Sequence, residues 1–427
     1  MSAATLFPRL GDVEANTPPG RDRAIDVIRI VALLAVVVGH TVMATSIIRD
    51  DVFIWSNLLT ASPVFQALTW VFQIMPLFFF AGVAASVQSW TPGSPWGNWL
   101  LRRCTRLYRP VFYYLAFWAA TLVVLKLLLP IHVYEPVAGI STQLLWFLGA
   151  YVLVLAAVPL LARITTTGRF VAAAATGYAV VAVVDAVRIN GDVPTLVGYL
   201  NLSMWLIPGM FGVAYRRRLL TAKAALLLGA AMFAVNVALV AVGPYELSLV
   251  GIETQQLKNM SPPTLLLAGH AIMMCALAIA AAPAITRWAR RPRVWWLTVI
   301  GNSGAMTLYL WHIPLLLGMH LVFDYLGSPR FPGAPHFVAL SVLQTMVMVA
   351  VVGAAFVVLR PLENDPLPFW DGGVVAQRGL RSAAVGLLLC VAGAATLASV
   401  GWGLKDLGLS LTAAMVTALI AARALAR

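Results

Sequence analysis

Apolar residues in this chain run on for whole helical lengths, with neither the one-sided stripe of a soluble helix nor the alternation of a strand. Residues 30–38 and 224–234 contain no polar side chain, and 338–359 is mostly apolar. A helix of about 20 such residues spans the hydrocarbon core of a bilayer, and within lipid it satisfies its own backbone polar groups. The dyad pattern of a membrane barrel is not seen. The runs predict spans at about 25–47, 63–89, 110–130, 141–162, 169–187, 193–214, 222–243, 262–283, 295–323, 336–359, 381–402 and 408–424. The expected fold is an all-α polytopic membrane protein with about 10 core transmembrane helices, plus one or two C-terminal helices. In order along the chain we expect a cytoplasmic N-terminal tail (1–24), a transmembrane domain (25–360), a cytoplasmic linker (361–380) and a C-terminal helical segment that spans the membrane (381–427).

Composition agrees. The 427 residues are 61% hydrophobic and 11% charged, where a soluble domain carries about 25% charged residues. The net charge of +13 does not point to nucleic acid, because the basic residues lie in short loops between apolar runs rather than on one patch. With the amino terminus in the cytoplasm, 23 of the 29 Lys and Arg residues fall on the inner side. The six outside are Arg49, Lys126, Arg188, Lys258, Arg330 and Lys405. The expected location is therefore the cell membrane, multi-pass, with a cytoplasmic amino terminus. The outer loops are short, so the work is done inside the bundle or at its mouths. Residues 1–24 lack an apolar core and read as a tail, not a signal peptide. Cys104, Cys275 and Cys390 form no disulfide framework and no metal motif. No Walker loop, dinucleotide fingerprint or zinc spacing occurs, so no metal and no bound cofactor are expected.

Charges within a span are costly and are functional suspects by default. The first span carries Asp26, Arg29 and His40. At about 100° per residue, Arg29 and His40 lie within about 20° of one helix face, roughly 16 Å apart along the axis. Asp26 falls within about 60° of both. A structural account fits these residues equally well, with Asp26 and Arg29 as an interfacial pair and His40 bonded to a neighbouring helix. Gln73, Asn201 and Asn236 read as interhelical hydrogen-bond partners, and Asp185 with Arg188 as a local i, i+3 pair. Trp90, Trp96, Trp99, Trp295 and Trp296 read as an interfacial belt. His270 lies in an outer-half position.

The spacing Asp26-x-x-Arg29-x10-His40 resembles the opening motif of the acyltransferase-3 family, integral-membrane O-acyltransferases of bacterial sugars, lipids and natural products. Met75-Pro-Leu-Phe-Phe-Phe-Ala-Gly82 is similar to that family's aromatic-rich second helix, with Ala81 and Val83 where Ser and Phe are usual. The run from Arg102 and Arg103 through Arg106 to Arg109-Pro110 resembles its basic loop. Gly301-Asn302-Ser303 through Tyr309 to His312 resembles its late segment. The resemblance covers about 21–360.

It implies transfer of an acyl group, often acetyl, from cytoplasmic acyl-CoA to a hydroxyl of a carbohydrate, glycolipid or small-molecule acceptor. Acyl-CoA would be a co-substrate rather than a resident cofactor. Arg102, Arg103, Arg106 and Arg109 suit its phosphates, although positive-inside anchoring explains any one of them. A hydroxyl needs a base near neutral pH, and histidine has the best-matched pKa. His40 takes that role, with Arg29 positioning the donor or pairing with Asp26. A covalent acyl-histidine is the alternative. His312, Tyr309, Ser303 and Asn302 are expected to contact or orient the acceptor. Partners beyond the substrates are membrane lipids, with a homo-oligomer left open and no nucleic acid. A glycan or lipid transporter would use intramembrane charges equally well, and a polyprenyl-linked-sugar glycosyltransferase is a third reading.

Overall fold

The computed structural model describes residues 7–191, 193–252, 255, 257–372 and 378–427. Among them, twelve helices are long and apolar enough to cross a membrane, the last two being Gly379–Ser399 and Asp406–Leu425. The chain is an all-α polytopic membrane protein. Helix starts obey local chemistry. Ser62, Thr166, Thr221 and Thr264 each accept a hydrogen bond from a backbone N–H of the next helical turn, ahead of an apolar run.

Four expected spans are not single helices. The stretch 141–162 is Leu145–Ala156 and Val158–Leu161. The stretch 63–89 is Pro63–Phe72 and Met75–Val87, parted ahead of Pro76. The stretch 295–323 is Pro292–Asn302 and Ala305–Tyr325, parted at Ser303 and Gly304. The stretch 193–214 opens as a 3₁₀ helix, Thr195–Trp205, before Leu206–Arg216. The basic loop before 110 is itself helical, because the third span runs from Trp96 to Leu128 straight through Pro110.

The first span, Arg23–Met43, ends short of the expected 47. The chain then turns back on itself in a two-stranded antiparallel hairpin, Ala44–Arg49 with Val52–Asn57. Its two-residue turn is Asp50-Asp51, at φ 51° and 61°. Aspartate enters the left-handed region more readily than most residues, and the β-branched Ile47, Ile48, Val52 and Ile54 on either side favour strand.

The chain divides into two compact units. One comprises Met1–Val36, Leu59–Pro92 and Ala157–Asn302; the other comprises Val37–Leu58, Gly93–Ala156 and Ser303–Arg427. In the first unit Leu206–Arg216 packs on Met75–Val87 so closely that a Cβ on Gly212 would stand 2.5 Å from the Phe80 carbonyl oxygen. Asp185 pairs with Arg188 at 3.2 Å, as expected, and also accepts from Asn201, Tyr245 and the Leu265 N–H. Burial and the Asp185 charge both raise the Tyr245 pKa. Gln73 and Asn201 do make hydrogen bonds across to other segments, to Met260 and Pro263. Asn236 does not, since neither atom of its buried amide has a hydrogen-bond partner among the described residues.

In the second unit Gly379–Ser399 lies against Trp96–Leu128, Leu145–Ala156 and Asp406–Leu425. A Cβ on Gly97 would fall 2.0 Å from the Ser382 carbonyl oxygen, and one on Gly149 2.6 Å from that of Gly393. Small residues let helix backbones meet this closely. The tryptophan belt is overturned at two positions. Trp99 and Trp295 are buried, and each lies beneath a guanidinium, of Arg103 and Arg23 respectively.

Candidate functional site

The second unit brings His40 and His312 together although 272 residues separate them. His40 Nδ1 is 2.9 Å from His312 Nε2, the ring planes lie within 10°, and the centroids are 5.2 Å apart. The rings therefore meet edge to edge, along the line of a hydrogen bond. The other nitrogen of His312, Nδ1, lies 3.1 Å from the Leu308 carbonyl. A carbonyl only accepts, so His312 carries its hydrogen on Nδ1 and in the neutral ring offers a lone pair at Nε2. His40 must then donate from Nδ1, which leaves its own Nε2 as a lone pair. His312 is buried and His40 is exposed. The less buried residue of the two is thus the one with the free base nitrogen.

The helix that carries His312 is fixed near its start. The Glu363 carboxylate accepts from Thr307 N–H at 2.8 Å and from Met306 N–H at 3.3 Å, capping the start of Ala305–Tyr325. Carboxylates favour helix amino ends, where unpaired N–H groups and the dipole attract negative charge. Glu363 falls in the expected linker 361–380, yet the helix Phe337–Asn364 carries it. Further along, Tyr309 donates its phenol hydrogen to the Leu144 carbonyl at 2.6 Å. Its ring stands 6.2 Å from that of His312. Tyr309 therefore anchors the helix, and its hydroxyl hydrogen is not offered to an acceptor.

The remaining expected residues scatter. Asp26 does not pair with Arg29. Arg21 holds its carboxylate, at 2.5 and 2.9 Å. Asp26 also lies 14 residues before His40, about 21 Å down the same helix, too far to act on the reacting atoms there. Asn302 donates to the Asp26 carbonyl at 2.9 Å, so it belongs to that lower level. Gly301 beside it packs on Ile30, where a Cβ would meet Cδ1 at 2.6 Å. Ser303 is nine residues before His312, about 13 Å along the chain path, and its carbonyl accepts from Asn364. Asn302 and Ser303 thus serve the break between two helices rather than an acceptor. Arg29 is half-buried and has no hydrogen-bond or ion-pair partner among the described residues.

The four arginines of the basic helix also separate. Arg109 is taken by Asp371 and by the carbonyls of Glu363 and Asn364, so it is not free for phosphate. Arg103 lies over the Trp99 ring and donates to the Trp99 carbonyl. Arg102 and Arg106, an i, i+4 pair, are exposed and make no such bonds among the described residues. In the first unit a cavity of about 240 Å³ is lined by Arg21, Asp22, Asp26 and Arg216, with each arginine balanced by an aspartate. That balance makes it a poor anion cradle. His270 is fully buried and donates from Nε2 to the Gln73 carbonyl at 2.8 Å, a structural placement.

A family model described as an acyltransferase domain, acyltransferase-3, matches residues 22–360. The chain belongs to the acyltransferase-3 family. It is therefore an acyltransferase of the membrane type. Comparisons with curated proteins and with solved structures find no match. The acyltransferase match ends before Gly379–Ser399 and Asp406–Leu425, the two helices packed into the second unit. No group of three or more His, Cys, Asp or Glu side chains able to hold a metal occurs among the described residues.

Proposed function

We propose that this protein moves an acyl group from acyl-CoA to a hydroxyl of a glycan, glycolipid or small-molecule acceptor, with His40 as general base and His312 as the residue that orients it. The observation that carries the proposal is the edge-to-edge His40–His312 hydrogen bond, which leaves a lone pair at His40 Nε2. In the step proposed, the acceptor oxygen attacks the thioester carbonyl while its proton passes to His40 Nε2. The carbon–sulfur bond then breaks, and the proton goes to the departing CoA sulfur. Products are the ester and free CoA. His312 accepts from His40 Nδ1–H throughout, so the positive charge that develops on His40 keeps a partner.

Arg102 and Arg106 are the guanidiniums left available for the donor's phosphates, and Arg29 is proposed to hold a polar part of the donor inside the membrane. Cell-membrane location with a cytoplasmic amino terminus goes with this reading, because acyl-CoA is cytoplasmic and the basic helix ends would face it.

The test is acyl-CoA-dependent stabilisation and turnover of the purified protein in detergent, wild type beside His40→Ala and Arg102→Ala/Arg106→Ala. Binding kept and transfer lost in His40→Ala, with binding weakened in the arginine variant, is the expected result. A folded wild-type protein that neither binds nor cleaves acyl-CoA of several chain lengths would overturn the reading in favour of transport.

A further inference from the structure

Arg330 sits on the side of the protein where Lys and Arg are scarce, in the turn after Ala305–Tyr325, yet it is only 2% exposed. Its guanidinium donates to the carbonyls of Val42 and Ala44, and its Nε to Ser341 Oγ at 3.0 Å. Its own carbonyl accepts from the Ser46 N–H at 3.1 Å. Gln344 adds a bond of 2.5 Å to the Thr41 carbonyl. The last carbonyls of a helix have no partner within it. Here those of Thr41 and Val42, the two residues after His40, are taken by side chains of a distant segment. Burial lowers the Arg330 pKa to about 10, which still leaves it charged near neutral pH.

A second tie joins the same strand to the helix of His312. Ser46 Oγ donates to Asp324 at 2.6 Å and lies 2.8 Å from His320 Nδ1. Because the serine hydrogen goes to the carboxylate, the His320 contact has Nδ1–H as donor. Trp55, the cross-strand partner of Ser46, meets the His320 ring in an edge-to-face contact, with centroids 5.0 Å apart. His40 thus stands just before one clamp, and His312 two turns before the other. Both clamps meet in the strand Ala44–Arg49.

From this geometry we infer that Arg330 is a positioning residue. By fixing the carbonyl end of the first span, it sets the His40–His312 hydrogen bond. Its fork does what a lysine cannot, since it reaches two carbonyls and a hydroxyl at once. The consequence for catalysis rests on the functional reading above, whereas the consequence for the histidine pair does not.

The experiment separates the two. Histidine-selective ¹⁵N spectra of the full chain in detergent, with His40→Gln and His312→Gln for assignment, report the tautomers and the bond between the rings with no substrate present. Arg330→Lys, Arg330→Ala and the milder Gln344→Leu are compared with wild type, each checked for folding by gel filtration and melting. The expected result is loss of the paired-ring signature in folded Arg330→Lys, and its return in Arg330→Ala on adding guanidinium but not equal sodium chloride. With acetyl-CoA as probe, kcat should fall at least about tenfold while KM stays within about threefold, since a positioning loss acts on the bound complex. A folded Arg330→Lys, or a folded Arg330→Ala without added guanidinium, that keeps the paired-ring signature overturns the inference. Gln344→Leu, which spares the arginine's bonds, is expected to weaken the signature less. If the signature is lost in the variant but wild type turns over no acyl-CoA, the positioning role stands and the acyl-transfer reading falls.

Discussion

At the scale of single residues, His40 and His312 are separable by their hydrogens. Replacing His40 by alanine removes the free base nitrogen, and acyl transfer should fall by about 10²–10⁴-fold, the usual worth of a positioned base. His312→Gln keeps an oxygen able to accept from His40 Nδ1–H, and it should retain several-fold more activity than His312→Leu. Initial rates at saturating acyl-CoA would check both. The pair also sets a pH dependence. The bond between the rings needs a lone pair on His312, and transfer needs one on His40, so rates should fall on the acid side and recover reversibly. A pH–rate profile flat through the acid range would exclude a histidine base.

At the scale of elements, the arginines of Trp96–Leu128 are predicted to behave in two classes. Arg109 and Asp371 form a largely buried pair, and removing one partner leaves the other charge uncompensated, a loss of about 3–5 kcal/mol. Asp371→Asn should therefore lower the melting temperature while leaving acyl-CoA affinity unchanged in the folded fraction. Arg102→Ala and Arg106→Ala should do the opposite, because both side chains are exposed and make no bonds to lose among the described residues. Titration calorimetry beside thermal melts would sort them. Glu363 belongs at this scale as well. Its cap on Ala305–Tyr325 predicts that Glu363→Ala costs about 0.5–2 kcal/mol of stability, with some loss of rate because the capped helix carries His312.

For the molecule as a whole, the two helices after the family match are structural parts of the second unit. Gly386 faces Trp96, where a Cβ would come within 2.4 Å of the ring, and Gly97 and Gly149 meet the same helix. Gly386→Val should force the helix away from its neighbours, and deletion of residues 379–427 should leave a protein that no longer runs as a monodisperse species in detergent. Wild-type behaviour of the deletion by gel filtration would show instead that 22–360 suffices. Orientation is a second prediction here. A cysteine at Asp51, in the hairpin turn, should be labelled by an impermeant reagent from outside intact cells, and one at Thr17 only after the membrane is opened.

The sequence by itself determined that the protein crosses the membrane many times, because in lipid an apolar run must close its own hydrogen bonds and a helix does so locally. It also supplied the family and the two histidines, since the motif spacings are local. It could not determine which charges are spent. Arg29 with Asp26, and Arg109 with a phosphate, are reasonable pairings from spacing alone. The fold instead gives Asp26 to Arg21, five residues before it where the chain enters the helix, and Arg109 to Asp371, 262 residues on, a partner chosen by how distant segments pack. The hairpin after Met43 left its trace in Asp50-Asp51 between β-branched runs, yet the membrane pattern beside it masked a period of two. Arg330 and Glu363 counted only as loop charges. Their roles exist because tertiary structure brings them against helix ends that chain order holds 286 and 56 residues away.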